Sequence, residues 1–379
     1  MAPFVQRGRW SAERFMGEAE RVTGSSNWGE GSFRLGLEAL LASLREVDDI
    51  TPLGTAVFGN MIKQALVNRL RFIEAESPSV PLIPPLIITG LPRSGTTALH
   101  RMLALDPEHY APPLWELLDP FADSSAVVRR WRTRLQIAFK NRLLPELDRK
   151  HFTRADTPEE CTLLLANSLA SPLFWDLAPL DRYLRWYRSA PMAPVYGEYR
   201  RQLEVLQQRH AGRRLVLKAP AHLGNLAALR EAVPESVLIQ THRDPTRCFF
   251  SHCSLRESLS RFVLSRVDAS AIADHVLRVF DHDLHESLIF HRNAGHRVFH
   301  VSERELRSSA VQTVRSMYSR LGLEWTAAVA GRVEAYDQAF PRDRFGRHRP
   351  RRTGWGVDPQ QVDGLFEEYR TMFSSELAP

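Results

Sequence analysis

Lysine is the rare charge in this chain: of 50 Lys and Arg residues only four are lysine, Lys63, Lys140, Lys150 and Lys218. Where nearly every cation is Arg, a lysine at a special position invites a chemical reason, because its compact ammonium acts as a point charge that Arg does not mimic. Cysteine is almost as scarce. Cys161, Cys248 and Cys253 form no C-x-x-C pair, which excludes a disulfide framework and a thiolate zinc site and predicts a reducing compartment. No run of about 18 apolar residues occurs, and Met1 to Phe15 lacks the apolar core of a signal peptide while carrying Arg7, Arg9 and Arg14. The expectation is a cytoplasmic protein without a membrane span. Internal repeats, low-complexity tracts and blocks of like charge are also missing. The +6 formal charge is spread along the chain, so it favours an anionic small ligand over nucleic acid.

What is present is enough sequence for a large core: 379 residues fit one α/β domain with an appended helical segment. Residues 11 to about 76 read as helices, with Phe33, Leu35, Leu37, Leu40, Leu41 and Leu44 roughly along one helical face and Leu66, Leu70 and Ile73 at helical spacing. Pro78, Pro81, Pro84 and Pro85 then break the pattern. This predicts an N-terminal helical extension over 1–80 and an α/β domain over 81–379, the latter ending in an Arg-rich segment over 340–356. Short apolar runs follow at Leu86-Ile87-Ile88-Thr89, Leu215-Val216-Leu217, Val237-Leu238-Ile239 and Val298-Phe299-His300-Val301, each succeeded by a helical stretch. Strands alternating with helices predict a parallel sheet flanked by helices, with ligands at the carboxyl ends of the strands.

Two motifs fall at those ends. Gly90-Leu91-Pro92-Arg93-Ser94-Gly95-Thr96-Thr97 joins the Leu86 run to a helical stretch. Loop amides and the unbonded N–H groups of a first helical turn converge on an anion there, and the helix dipole adds its positive end. The triphosphate-binding pattern G-x-x-x-x-G-K-[ST] nearly fits, but Thr96 stands in place of its lysine, which argues against a P-loop kinase or ATPase. Arg93 supplies a cation inside the loop instead. The second motif is Thr241-His242-Arg243-Asp244-Pro245, with Ser251 eight residues after Arg243 on the following helix. A guanidinium fork and a hydroxyl at that spacing suit a phosphate.

Pro92-Arg93-Ser94-Gly95-Thr96-Thr97 resembles the 5′-phosphosulfate loop of sulfotransferases that use 3′-phosphoadenosine 5′-phosphosulfate (PAPS), and Arg243 with Ser251 resembles their 3′-phosphate motif. Thr157-Pro158-Glu159-Glu160-Cys161, Leu217-Lys218-Ala219-Pro220-Ala221-His222 and Leu321-Gly322-Leu323-Glu324-Trp325 are similar to the bacterial branch with an N-terminal helical extension. The likeness covers most of residues 25 to 375. It implies a P-loop-like fold, PAPS as co-substrate with no metal, and a small-molecule hydroxyl acceptor. On that reading Arg93, Ser94, Gly95, Thr96 and Thr97 hold the phosphosulfate and Arg243 and Ser251 the 3′-phosphate. One departure stands out: Glu303-Arg304-Glu305-Leu306 occupies the place where that branch has Tyr-Glu-Asp-Leu. A scaffold protein that has lost activity is the alternative this departure raises.

Arg93 and Lys218 are the expected charge stabilisers. His222 is the leading candidate for the base, since imidazole titrates near neutrality. Glu116 is second and the pair Glu159 and Glu160 third. Arg347-His348-Arg349 and Arg351-Arg352 are candidates to fold over the 3′-phosphate. Asp281, His282, Asp283 and His285 are ligand-type residues without a recognised metal spacing, and no metal is assigned. Val128, Trp131, Leu135 and Phe139 recur at helical spacing among Arg129, Arg130, Arg132 and Arg134, which predicts an apolar face packed on the domain and a charged outer face, with a membrane-surface or lipid-acceptor role as the lesser alternative. No residue pattern sets the oligomeric state, and a homodimer is compatible with the sequence.

Overall fold

The structure, a computed structural model, describes residues 9–145, 147–150, 152–293, 297–340 and 350–378, without the side chains of Asp148 and Arg149. Its centre is a five-stranded sheet of β1 (Leu86–Thr89), β2 (His109–Tyr110), β3 (Arg214–Lys218), β4 (Val237–His242) and β5 (Val298–Ser302), ordered β2-β3-β1-β4-β5. Every pairing is parallel. The four apolar runs of the sequence are strands, as expected. The two-residue edge strand β2 was not, because two residues carry no readable period.

Parallel strands are covered on both faces, so alternate residues enter different cores. Ile87, Leu215, Leu217 and Leu238 join the larger cluster, whereas Leu86, Ile88, Val216 and Ile239 join a second one with Val314, Met317 and Val333 of the late helices. The larger cluster runs without a break into the N-terminal helices Ala12–Thr23, Ser32–Arg45 and Pro52–Glu74, through Phe33, Leu37, Leu40 and Leu66. Arg69 fastens the extension further. It is fully buried, forks onto Glu198 at 2.8 and 2.7 Å, and donates to the Trp28 and Glu30 carbonyls. The residues before Pro78 therefore share a core with the sheet.

The strand order also sets the site. From β1 the chain passes to β2 and β3 on one side and to β4 and β5 on the other, which makes the β1 end the topological switch point. Ile88 registers with Lys218 and Thr89 with Gln240, so the ends of β3 and β4 flank the loop that leaves β1.

The helix Ala126–Leu143 reverses the expectation for its apolar residues. Val128, Trp131, Leu135 and Phe139 are exposed, and Thr133 and Ile137 are the buried side instead. Helical spacing was right, but spacing alone does not say which face meets the protein.

Candidate active site

The loop Gly90–Gly95 is shaped by steric necessity. Gly90 has φ 138°, and a Cβ there would lie 2.5 Å from the Thr241 carbonyl and 2.6 Å from its hydroxyl. Only glycine allows the loop to lean on β4. Arg93 holds φ 75° and Gly95 φ 96°, left-handed backbone that turns the chain sharply before the helix Thr96–Leu103. A non-glycine residue in that region stores strain, a common feature of ligand-holding loops. Ser94 is fully buried; its hydroxyl donates to the Leu91 carbonyl at 2.6 Å and lies 2.7 Å from the Thr241 hydroxyl. Ser94 thus fixes the loop to β4. No side chain caps the helix that begins at Thr96, which leaves its first turn as an anion cradle.

On the β4 side, the structure gathers Arg93, Arg243 and Ser251. Arg243 Nη1 donates to the Arg93 carbonyl at 2.9 Å, and Arg93 Nε donates to the Ser251 hydroxyl at 3.1 Å. Burial and the neighbouring Arg243 charge both press the Arg93 pKa down. Two guanidiniums held together in this way call for an anion between them. Asp244, next to Arg243 in sequence, is used elsewhere: it caps the helix Pro245–Val263 through Arg247 N at 2.9 Å and pairs with Arg370 at 3.1 Å. Arg243 faces Glu303 instead, at 3.8 Å, and among the described residues its buried Nε has no hydrogen-bond partner. The departing residue Glu303 therefore stands beside Arg243. Arg351 and Arg352 approach the same helix, pairing with Glu257 and lying over the Phe250 ring; Arg347, His348 and Arg349 lie outside the described residues.

On the β3 side, Lys218 is fully buried, with Nζ 2.6 Å from Glu160 and 4.0 Å from Glu159. The Cys161 amide donates to the Lys218 carbonyl at 3.0 Å, which seats the Glu159-Glu160 segment on the strand end. Beside them opens a cavity of about 420 Å³, whose walls include Arg93, Thr96, Thr97, Glu159, Glu160 and Asp283; Lys218, Arg243 and Ser251 are not on that wall and meet it through Glu160 and Arg93. It shares Met61, Leu118, Lys140, Leu163 and Leu173 with a largely apolar groove of about 520 Å³, so the two are continuous.

The leading sequence candidate for the base does not face this space. His222 is fully buried and absent from the cavity wall. Its Nδ1 lies 2.8 Å from the Tyr196 hydroxyl and its Nε2 3.4 Å from Cys161 Sγ, and burial draws its pKa to about 3. With both nitrogens engaged in the core, the ring has no position open to an acceptor. Residue type and chain spacing pointed to His222; the turn Pro220–Asn225 directs it inward. Glu116 is also displaced. It binds Tyr110 and, at 2.9 Å, His210 beside the β2 edge, while Leu114 and Leu118 of its helix reach the cavity. Burial opposes its charge, but the hydrogen bonds from His210 and Tyr110 hold its carboxyl below the usual range.

Two residues on the wall carried no separate signal in the sequence. Asp283 belongs to the ligand-type cluster considered for a metal, and among the described residues no group of three such side chains is placed to hold one. It faces the cavity, and burial pushes its carboxyl up to about 8. His252 follows Ser251, stacks on Phe280, and is kept neutral first by burial and then by the charges of Arg256 and Arg93.

Residues 84–327 match the sequence profile of a family described as the sulfotransferase family. A Mycobacterium bovis protein named omega-hydroxy-beta-dihydromenaquinone-9 sulfotransferase Stf3 is 26% identical over 249 residues, and its Mycobacterium tuberculosis counterpart aligns equally. The match spans 63% of this chain and 63% of each relative. Among solved structures, sulfotransferase STF9 from Mycobacterium avium superposes with TM-score 0.84 and 25% identity over 97% of both chains. Sulfotransferase STF1 from Mycobacterium tuberculosis H37Rv gives TM-score 0.78 and 24% identity, covering 94% of this chain and 98% of that one, a likeness of fold.

Proposed function

The chain belongs to the sulfotransferase family, and from that premise we propose that it transfers a sulfuryl group from PAPS to the hydroxyl of a small acceptor seated in the cavity. The observation that carries this reading is the placement of two cationic sides at the loop that leaves β1, Arg93 with Arg243 and Ser251 on one and Lys218 on the other, with a cavity walled by Arg93 and by Glu160, the partner of Lys218. The loop and the uncapped helix would hold the 5′-phosphosulfate, and Arg243 and Ser251 the 3′-phosphate.

In the reaction the acceptor oxygen attacks sulfur in line with the bridging S–O bond. That bond breaks, and its electron pair goes to the phosphate oxygen of the leaving adenosine 3′,5′-bisphosphate. Lys218 meets the charge growing on that oxygen, exchanging its Glu160 partner for the donor. A carboxylate beside Lys218 suits the base, since the acceptor hydroxyl must come close to the same bond. Glu159 lines the cavity 4.0 Å from Lys218 and takes that role in place of His222. The apolar groove behind the cavity favours an alcohol on an elongated apolar body. The acceptor in the name of the mycobacterial relatives is of that kind.

Calorimetry tests the donor site. Adenosine 3′,5′-bisphosphate should bind at least about tenfold more tightly than AMP, or about 1.4 kcal/mol, and the preference should vanish in Arg243→Ala. Equal affinity in the wild type would remove the 3′-phosphate assignment. Turnover with labelled PAPS tests the chemistry: Lys218→Ala and Glu159→Gln should each lower kcat by about 10²-fold or more with bisphosphate affinity kept. A Glu159→Gln enzyme with normal kcat would remove that residue as the base.

A further inference from the structure

The helix Ala126–Leu143 bears Arg129, Arg130, Arg132, Arg134, Lys140 and Arg142 and no acidic residue. Of the twelve large hydrophobic side chains exposed among the described residues, half belong to this one helix: Val127, Val128, Trp131, Leu135, Phe139 and Leu143, between 43% and 72% exposed. At about 100° per residue these six fall on one side, opposite the buried Thr133 and Ile137. A helix on a water-facing surface has its apolar stripe inward and its charges outward. This one carries six apolar residues on its outer arc, with Arg132 and Arg142 among them and further cations on either flank, an arrangement that leaves Trp131 62% and Phe139 54% exposed.

The charge identifies the occupant. Asp156 pairs with Arg130 and Arg134, and Asp119 lies 3.9 Å from Arg132, so the cations of the helix outnumber these two acids. A second copy packed by twofold symmetry would bring two such cationic faces together, which disfavours self-association. A surface of anionic headgroups over an apolar layer matches both features: the stripe enters the acyl boundary and the guanidiniums meet phosphates. Trp131 suits that boundary, where indole rings concentrate. None of the described helices is long and apolar enough to cross a membrane, so the contact lies along the surface. One flank of the same helix, reached by Phe139 at the edge of the stripe, points to a purpose. Gln136, Phe139 and Lys140 wall the apolar groove, and Lys140 also borders the active-site cavity.

We propose that Ala126–Leu143 is a docking element that lies in the interface of an anionic lipid bilayer. Its consequence, that docking holds the acceptor groove against the lipid, rests on the proposed transferase reading; the docking itself does not.

Flotation of the full chain with phosphatidylcholine vesicles, with and without phosphatidylglycerol, tests this directly and needs no turnover. The bound fraction should rise at least about tenfold with the anionic lipid and fall with added salt. A Val128→Ser/Trp131→Ser/Leu135→Ser variant, changed only at exposed positions off both cavities, should lose about tenfold or more of that binding. It should keep its thermal stability and its affinity for adenosine 3′,5′-bisphosphate. Absence of vesicle binding, or equal binding by the triple variant, would overturn the proposal. So would a wild-type dimer in sedimentation analysis that the triple variant dissociates, because a second copy would then cover the stripe.

Discussion

Replacing Asp283 with asparagine should make the protein less sensitive to rising pH. Burial pushes the Asp283 carboxyl up to about 8, while Arg188 pulls the other way and Glu286 adds to the rise; the ordinary value, kept in the unfolded chain, is 3.8. The folded state therefore retains a proton that the unfolded state has lost. Stability from this group is complete below the unfolded value, declines as pH rises, and levels off above the folded value. Over the interval from pH 6.5 to 8, unfolding gives protons to His100, His222, His242 and His252, which burial keeps neutral in the fold; that contribution has the opposite sign and is common to wild type and variant, so the difference between the two proteins isolates Asp283. At about 1.4 kcal/mol per pH unit, tapering as the folded carboxyl begins to ionise, the Asp283 carboxyl should cost the wild type about 1.5–2 kcal/mol across that interval relative to a variant without it. The figure is an upper value because the carboxyl faces the cavity. The amide introduced by Asp283→Asn mimics the protonated acid, and that variant should lose almost none of it. Urea unfolding of both proteins at pH 6.5 and 8 measures the difference directly. Identical pH slopes would refute the reasoning, and so would a steeper loss in the variant.

His222→Gln should cost about 1–3 kcal/mol of stability by disturbing the buried Tyr196 contact, while the folded fraction keeps kcat within a few-fold. A stable variant with kcat down by about 10²-fold would restore His222 as the base. Gly90→Ala should cost about 3 kcal/mol, since its Cβ meets the Thr241 carbonyl and its φ strains any side chain, and it should abolish bisphosphate binding. Normal calorimetric binding by that variant would show that the loop tolerates a shift away from β4.

The sequence by itself determined the architecture and the loop on which the proposed donor site rests. Four apolar runs fixed four of the five strands, because a buried parallel strand needs continuous apolar residues whatever surrounds it. The phosphate loop was equally legible: glycines at Gly90 and Gly95 answer backbone conformations that few other residues adopt, and a strand-to-helix turn needs no distant partner to present its amides. Arg243 and Ser251 came with it, as the strand end and helix that carry them are local features. Which candidate side chains reach the cavity, and which way the exposed helix faces, were decided only by tertiary structure. Nothing in the sequence separates His222 from Asp283 by position, but the turn after β3 sends His222 into the core against Tyr196 and the Ala269–Arg292 helix brings Asp283 to the cavity. Glu116 and Glu159 likewise differ in role because one helix packs its carboxylate against β2 and the other segment is docked by a backbone hydrogen bond on the end of β3. For the helix Ala126–Leu143 the period was visible and the direction was not: an apolar stripe has the same spacing whether it faces the protein or leaves it, and only the neighbours that bury Thr133 and Ile137 settle which.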